Sequence, residues 1–204
     1  MARPSNTEER RLQIVEGLLL AMAEHGYDGA SIPQIAEAAG LSGGLVHYHF
    51  ASKQEILLAL IELLSERMRQ RYARRLREAR SPRTRLYAFL DAHVALGSDA
   101  SPESVACWVA IGAEALRQKE VQSAYRKVTR GAVLQLRELV AQVLEDERRA
   151  GDHAEEIAAA LMAAIYGCYQ LSQAAHAAPK GFAAPMLRRM ADGLVAAEPS
   201  TDSR

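Results

Sequence analysis

The sequence predicts an all-α protein, and three observations carry that expectation. Ala, Leu, Glu and Arg dominate the 204 residues while aromatic residues make up only 5%, and these four lose little rotamer freedom in a helix. Apolar positions recur every three or four residues instead of alternating, the period of a helix and not of a strand. Gly, Pro and Ser fall between the periodic stretches, where they start and stop helices. With 49% hydrophobic and 25% charged residues the balance is that of a globular chain, which excludes disordered and low-complexity classes.

Taken in order, the punctuation predicts nine helices. The first begins near Thr7, carries Ile14, Leu18, Ala21 and Met22 on one face, and closes at Gly26. Ser31-Ile32-Pro33-Gln34 is a capping box with an early proline, opening a short helix that stops at Gly40. A third, from Ser42 to about Phe50, follows after a tight turn. Ser52-Lys53-Gln54-Glu55 caps a fourth, expected to reach Arg80, about 43 Å of helix at 1.5 Å per residue. Ser81-Pro82 and Ser101-Pro102 start helices over 82–97 and 102–117. A seventh is expected over 119–150, stopping at Gly151, and an eighth from Asp152 to about Ala177. The last covers 185–197 and leaves a polar, flexible tail, 199–204.

Residues 31–50 hold the informative constellation. Two helices of about eight residues joined by Gly40-Leu41-Ser42 form a helix-turn-helix. Ala36 is small where the helices cross, Gly40 supplies the positive φ of the turn, and Ile35, Leu41 and Val46 plug the joint. Ser42, Gly43, Gly44, Leu45, His47 and Tyr48 remain to face outward on a helix too glycine-rich to be stable for its own sake. That suits a helix presented to a DNA groove.

The stretch Ile35-Ala36-Glu37-Ala38-Ala39-Gly40-Leu41-Ser42-Gly43-Gly44-Leu45-Val46-His47-Tyr48-His49-Phe50-Ala51-Ser52-Lys53, preceded by Gly26-Tyr27 and followed by Ile56-Leu57, resembles the DNA-binding signature of the TetR family of transcriptional regulators. The resemblance covers residues 7–57. It implies a TetR-like architecture: a three-helix DNA-binding domain over 1–55, then a ligand-binding and dimerisation bundle over 56–198. It also implies a recognition helix from Ser42 to Tyr48, with Ser31 and Gln34 on the supporting helix, and a phosphate contact from the Lys53 ammonium. Tyr48 and His49 occupy the aromatic pair before Phe50. At the position of the family's usual phosphate-contacting tyrosine this chain has His47, which can donate to a phosphate. Leu45 stands where polar readers are common, so a direct contact there is apolar, for instance with a thymine methyl.

Beyond residue 57, Trp108, Glu114-Ala115, Tyr125 and Ile165-Tyr166-Gly167 resemble the C-terminal domain of the BetI-like branch, choline-responsive repressors. A ligand pocket there needs apolar walls and a few polar groups. The candidates are Met68, Tyr72, Phe89, His93, Cys107, Trp108, Ile111, Tyr125, Met162, Tyr166 and Tyr169; each taken alone reads more simply as core. An organic cation held by cation–π contacts is compatible with these rings but not demanded by them. Leu161, Ile165 and Cys168, with Leu187, Met190 and Leu194, are the candidate dimer face, although a terminal amphipathic helix can equally cover its own core.

Other classes find little support. No nucleophile elbow, phosphate loop or metal-ligand spacing is present, and His47 and His49 lie two apart, on different sides of a helix. No catalytic residue, metal or cofactor is expected, and the chain reads as not an enzyme. Cys107 and Cys168 read as small hydrophobes. With no apolar leader and no 18-residue uncharged run, the expected setting is cytoplasmic, without a membrane partner. A ligand-responsive homodimeric repressor on a pseudo-palindromic operator is the leading reading. An activator of the same family, and a helical adaptor or small-molecule-binding protein without a DNA role, are the alternatives.

Net charge taken over the whole chain does not advertise DNA, since 25 basic residues balance 25 acidic ones. Within 1–55, Arg3, Arg10, Arg11 and Lys53 face seven acidic residues, a net of −3. The expected phosphate contacts are therefore few and placed: Lys53, the arm at Arg3, Arg10 and Arg11, and His47. That predicts weak non-specific binding and a shallow salt dependence.

Overall fold

A computed structural model describes residues 6–95, 97, 100–175 and 177–201; Arg3 of the expected arm lies outside them. Nine α-helices and no strand occur among these residues: α1 Asn6–Gly29, α2 Ile32–Ala39, α3 Gly43–His49, α4 Lys53–Leu76, α5 Pro82–Val94, α6 Pro102–Glu114, α7 Lys119–Asp146, α8 Ala154–Tyr169 and α9 Ala183–Ala197, with a π-helical turn at Gln170–Ala174.

Most starts follow the expected chemistry. The Ser31 hydroxyl accepts from Gln34 N while the Gln34 carboxamide accepts from Ser31 N at 2.8 Å. Ser81 forms a second capping box with Thr84, and Ser101 accepts from Ser104 N. At α4, Ser52 Oγ accepts from Glu55 N, but the Glu55 carboxylate reaches back one residue further, to Ala51 N at 2.9 Å. Gly26 (φ 71°) breaks α1 where the sequence places its end, and Gly40 (φ 65°) makes the turn after α2.

Several ends differ from expectation. α4 stops at Leu76 rather than Arg80: Arg77, Glu78 and Ala79 make only three-residue turns, and Arg80 N turns to the Thr84 hydroxyl at 3.0 Å. α5 and α6 also end three residues early, at Val94 and Glu114. α7 ends at Asp146 because Arg148 adopts a left-handed φ of 52°, which lets Arg149 N reach Leu144 O at 2.8 Å; Gly151 is not the stop. Asp152 does not cap α8, whose N-cap is His153, without a side-chain cap bond. Pro199–Thr201, expected to be a free tail, are held by Ala150 N on Pro199 O and Thr201 N on Arg148 O.

The chain divides into two compact units. One joins residues 1–66 to 101–126, the other joins 67–100 to 127–204, and α4 and α7 each contribute to both. In the first unit, Ile14, Leu18, Ile35, Val46, Ile56, Leu57 and Leu60 are completely buried between α1, α2, α3 and the start of α4. α6 also packs on α1, and the Cys107 thiol lies 3.4 Å from Leu19 O.

The α1–α2 crossing depends on Gly17. A Cβ on Gly17 would stand 2.5 Å from Ile35 O and 3.0 Å from the Ala39 methyl. Absence of a side chain there lets the backbones touch. In the second unit, α9 lies against α5 and α8. Arg188 forks onto Asp91, Nε to Oδ1 at 2.9 Å and Nη2 to Oδ2, while Arg83 bridges Glu147 and Asp192.

Candidate nucleic-acid interface and aromatic clusters

The three-helix head presents α3 outward. Val46 and Phe50 are buried and mark its inner side. At about 100° per residue Tyr48 falls nearly opposite them, and it is 81% exposed; Leu45, at its side, is 40% exposed. Gly44 and His47 are exposed, Gly43 and His49 partly so. The His49 ring packs edge-on to Tyr48 with centroids 5.0 Å apart. Ser42 Oγ accepts from Leu45 N at 3.3 Å, so its hydroxyl caps the helix. Ser31 is exposed and Gln34 partly so, joined by their mutual capping bonds.

Two of the expected phosphate cations are committed inward. Lys53 Nζ donates to Tyr27 O at 2.7 Å, lies 3.5 Å from Asp28 O and sits 4.3 Å from the Tyr27 ring centroid. A lysine at the start of α4 looks misplaced against that helix's dipole. Its ammonium in fact reaches the carbonyl end of α1, where a cation is favoured. Arg11 donates to His49 O, pairs with Glu55 and stacks 3.9 Å over Phe50. It staples α1 to the end of α3 and the start of α4. Arg10 bonds its own helix neighbour Gln13 at 2.8 Å.

Beside this head, the α6–α7 turn reaches α1 and α4 through polar groups. Arg117 meets Asp28 at 3.3 Å, and Gln54 donates to Glu120 at 3.2 Å. The buried Glu114 accepts from Gln118 at 2.7 Å. These contacts have no sequence signal, since only the fold brings 114–120 to 27–54. Burial pushes the Tyr27 hydroxyl above its ordinary 10.0.

The eleven ligand candidates separate into two groups. Cys107, Trp108, Ile111 and Tyr125 belong to the first unit, where Trp108 and Tyr125 lie 6.2 Å apart and the Tyr125 hydroxyl approaches Gly112. Burial, then Glu103, pushes the Cys107 thiol up to about 12, so it is a packed hydrophobe and not a nucleophile. Met68, Tyr72, Phe89, His93, Met162, Tyr166 and Tyr169 belong to the second. There Tyr72 meets Phe89 (5.6 Å), Phe89 meets His93 (4.5 Å), and Tyr166 meets Tyr169 (5.9 Å). The Tyr169 hydroxyl donates to His93 O, and the Tyr166 hydroxyl lies 3.2 Å from that of Thr129. His93 Nδ1 faces Phe89 O at 2.9 Å, which makes Nδ1 the protonated nitrogen. Burial, and then the Arg71 charge, lower its pKa to about 4.

Of the dimer candidates, Leu161, Ile165 and Leu187 are buried within the chain itself. Cys168 and Leu194 are half-buried and Met190 is exposed. Ala160, Ala163, Gly167 and Leu171 form the outer side of α8 and the turn after it, and Met186, Met190 and Gly193 that of α9.

Comparison with known proteins decides the family. Residues 14–60 match the bacterial regulatory proteins of the tetR family, and residues 82–198 match the C-terminal domain of BetI-type transcriptional repressors. The chain belongs to the TetR family, in its BetI-type branch. It is 34% identical to the HTH-type transcriptional regulator BetI of Agrobacterium fabrum, over 87% of this chain and 84% of that protein. The BetI of Rhizobium meliloti is 32% identical, covering 83% and 80%. Among solved structures, a transcriptional regulator of Saccharomonospora viridis in complex with choline has the same fold, with TM-score 0.77 and 21% identity over 93% of this chain and 97% of that one. This TetR-family member is thus a DNA-binding transcription regulator and not an enzyme. No helix among the described residues is long and apolar enough to cross a membrane.

Proposed function

We propose that this BetI-type regulator is a cytoplasmic homodimeric repressor that grips a pseudo-palindromic operator and releases it when a small organic molecule binds. The observation that carries the reading is α3: a short helix whose inner side is sealed by Val46 and Phe50 while Leu45 and Tyr48 stand in solvent. Lys53 keeps a contact role through the donor capacity left after Tyr27 O and Asp28 O, while its main task is to hold α4 to the end of α1. His47, exposed at the rim of α3, takes the place of the family's tyrosine toward phosphate.

The dimer is proposed on the outer sides of α8 and α9. Small residues at Ala160, Ala163, Gly167 and Gly193 admit a close helix, and Met186 and Met190 supply apolar area. Two-fold pairing sets two α3 helices about one DNA turn apart, roughly 34–36 Å. The effector is proposed to bind among Tyr72, Phe89, His93, Tyr166 and Tyr169, whose rings and hydroxyls offer cation–π and hydrogen-bonding surfaces. Its binding biases α4, which is anchored at Lys53. Two states of the head then differ in operator affinity.

The test is a gel shift of the full chain on DNA upstream of its own gene, with choline as the first effector probe, alongside sedimentation of the free protein. A dimer that shifts the DNA, and loses it on adding an effector, supports the reading. A monomer, or failure to bind any duplex, overturns it.

A further inference from the structure

Helix α3 is unusual for a base reader in what it lacks. Between Gly43 and His49 there is no Arg, Lys, Asn, Gln, Asp or Glu. The bidentate pairings that distinguish guanine, adenine and cytosine in the major groove need those side chains. The Ser42 hydroxyl caps the helix as an acceptor and, with a single O–H left to donate, cannot make a bidentate base pairing. At the centre of the outward side stand Leu45 and the ring of Tyr48, with His47 and His49 to either flank. Thymine is the one base that offers an apolar group there, its C5-methyl.

The two glycines point the same way. Neither Gly43 nor Gly44 has a positive φ, and a Cβ on either meets open space or, at Gly44, only Ser42 Oγ at 3.9 Å. The chain's own packing gives no reason for them. Each is nevertheless a poorer helix former than alanine. A bare backbone at the start of α3 serves something outside the chain that must come close.

We propose that Leu45 and the Tyr48 ring form an apolar clasp for a thymine C5-methyl in each operator half-site, with Gly43 and Gly44 allowing α3 to seat deeply enough for the clasp to close. This rests on the operator-binding reading above and names the base group that the protein selects. Burying one methyl is worth about 0.8 kcal/mol, so its removal weakens binding about fourfold per half-site and about fifteenfold for both.

The experiment uses the full-length protein and a duplex that it enriches from a random-sequence pool. Each thymine in turn is replaced by deoxyuridine, which deletes the methyl and nothing else. Wild-type protein is expected to lose about fourfold at one symmetry-related thymine in each half-site. Leu45→Ala is expected to bind thymine and deoxyuridine duplexes alike, and Tyr48→Phe to retain the discrimination. Indifference of the wild type to every replacement overturns the clasp while leaving operator binding intact, as does a penalty that persists in Leu45→Ala. Enrichment of no duplex overturns the operator reading and the clasp together.

Discussion

Gly17→Ala separates the packing argument from ordinary helix chemistry by its sign. In an open helix interior this substitution stabilises by about 1 kcal/mol, because alanine is the better helix former. In α1 the new methyl would lie 2.5 Å from Ile35 O and 3.0 Å from the Ala39 methyl, and the first of these is backbone that cannot rotate away. α2 must then retreat from α1, and forced overpacking of this kind costs about 1–3 kcal/mol. The net expectation is a loss of up to about 2 kcal/mol, a drop in Tm of up to about 8 °C for a chain of this size. Because α2 carries α3, operator affinity falls with it. Gly131→Ala, exposed in α7 with nothing within 4 Å of its Cβ, is the control and should raise Tm. Thermal unfolding of both variants decides. A Gly17→Ala protein as stable as the Gly131→Ala protein would refute the close crossing.

Other expectations follow from single contacts. Lys53→Met keeps the stem and removes the ammonium from the α1 carbonyls; the loss of a charged hydrogen bond, about 1–2 kcal/mol after allowance for partial exposure, should appear in urea unfolding without any DNA present. If only DNA binding changes, the inward role is wrong. Asp91→Asn breaks the fork with Arg188 and should destabilise by a similar amount, with Arg188→Met giving no further loss in the double variant. His93 has its pKa lowered to about 4 by burial, so the folded state binds fewer protons than the unfolded one. Stability present above 6.5 is lost as pH falls toward 4, by up to about 3 kcal/mol, and His93→Phe should flatten that acid limb in pH-dependent melting. His153, beside the buried Glu198 carboxylate, has its pKa raised. Its contribution is complete below 6.5 and disappears as pH rises through the higher folded value, so His153→Gln should matter in mild acid and not in base.

Local chemistry was legible wherever one residue decides an outcome. Ser31, Ser81 and Ser101 cap as expected, Gly40 turns, and residues 31–50 form a helix-turn-helix. Helix ends were less legible because their causes are not local. α7 stops at Asp146 because Arg148 beyond it takes a glycine-like conformation, held by the returning chain at Pro199–Thr201. The destination of long side chains was least legible. Lys53 and Arg11 look in sequence like solvated cations offered to phosphate, yet each has tertiary carbonyls within reach. In α8 and α9 the apolar period is shared between the chain's own core and the outer side, and larger residues, Leu161, Ile165 and Leu187, go inward. Gly17 carried no sequence signal, since a mid-helix glycine shows its purpose only beside the helix it touches.

We propose that an acidic head, net −3 over residues 1–55, reads DNA through the outward side of α3. Operator affinity measured against salt, for wild type and Tyr48→Ala, tests it most directly. With Arg3, Arg10 and the donor capacity left on Lys53 as the expected cations per half-site, at most about six charges per dimer predict a slope of log K on log salt no steeper than about −5. Tyr48→Ala, at a position 81% exposed, should bind the operator more weakly while melting like the wild type. Wild-type affinity preserved in Tyr48→Ala, or a slope near −10, would contradict the account.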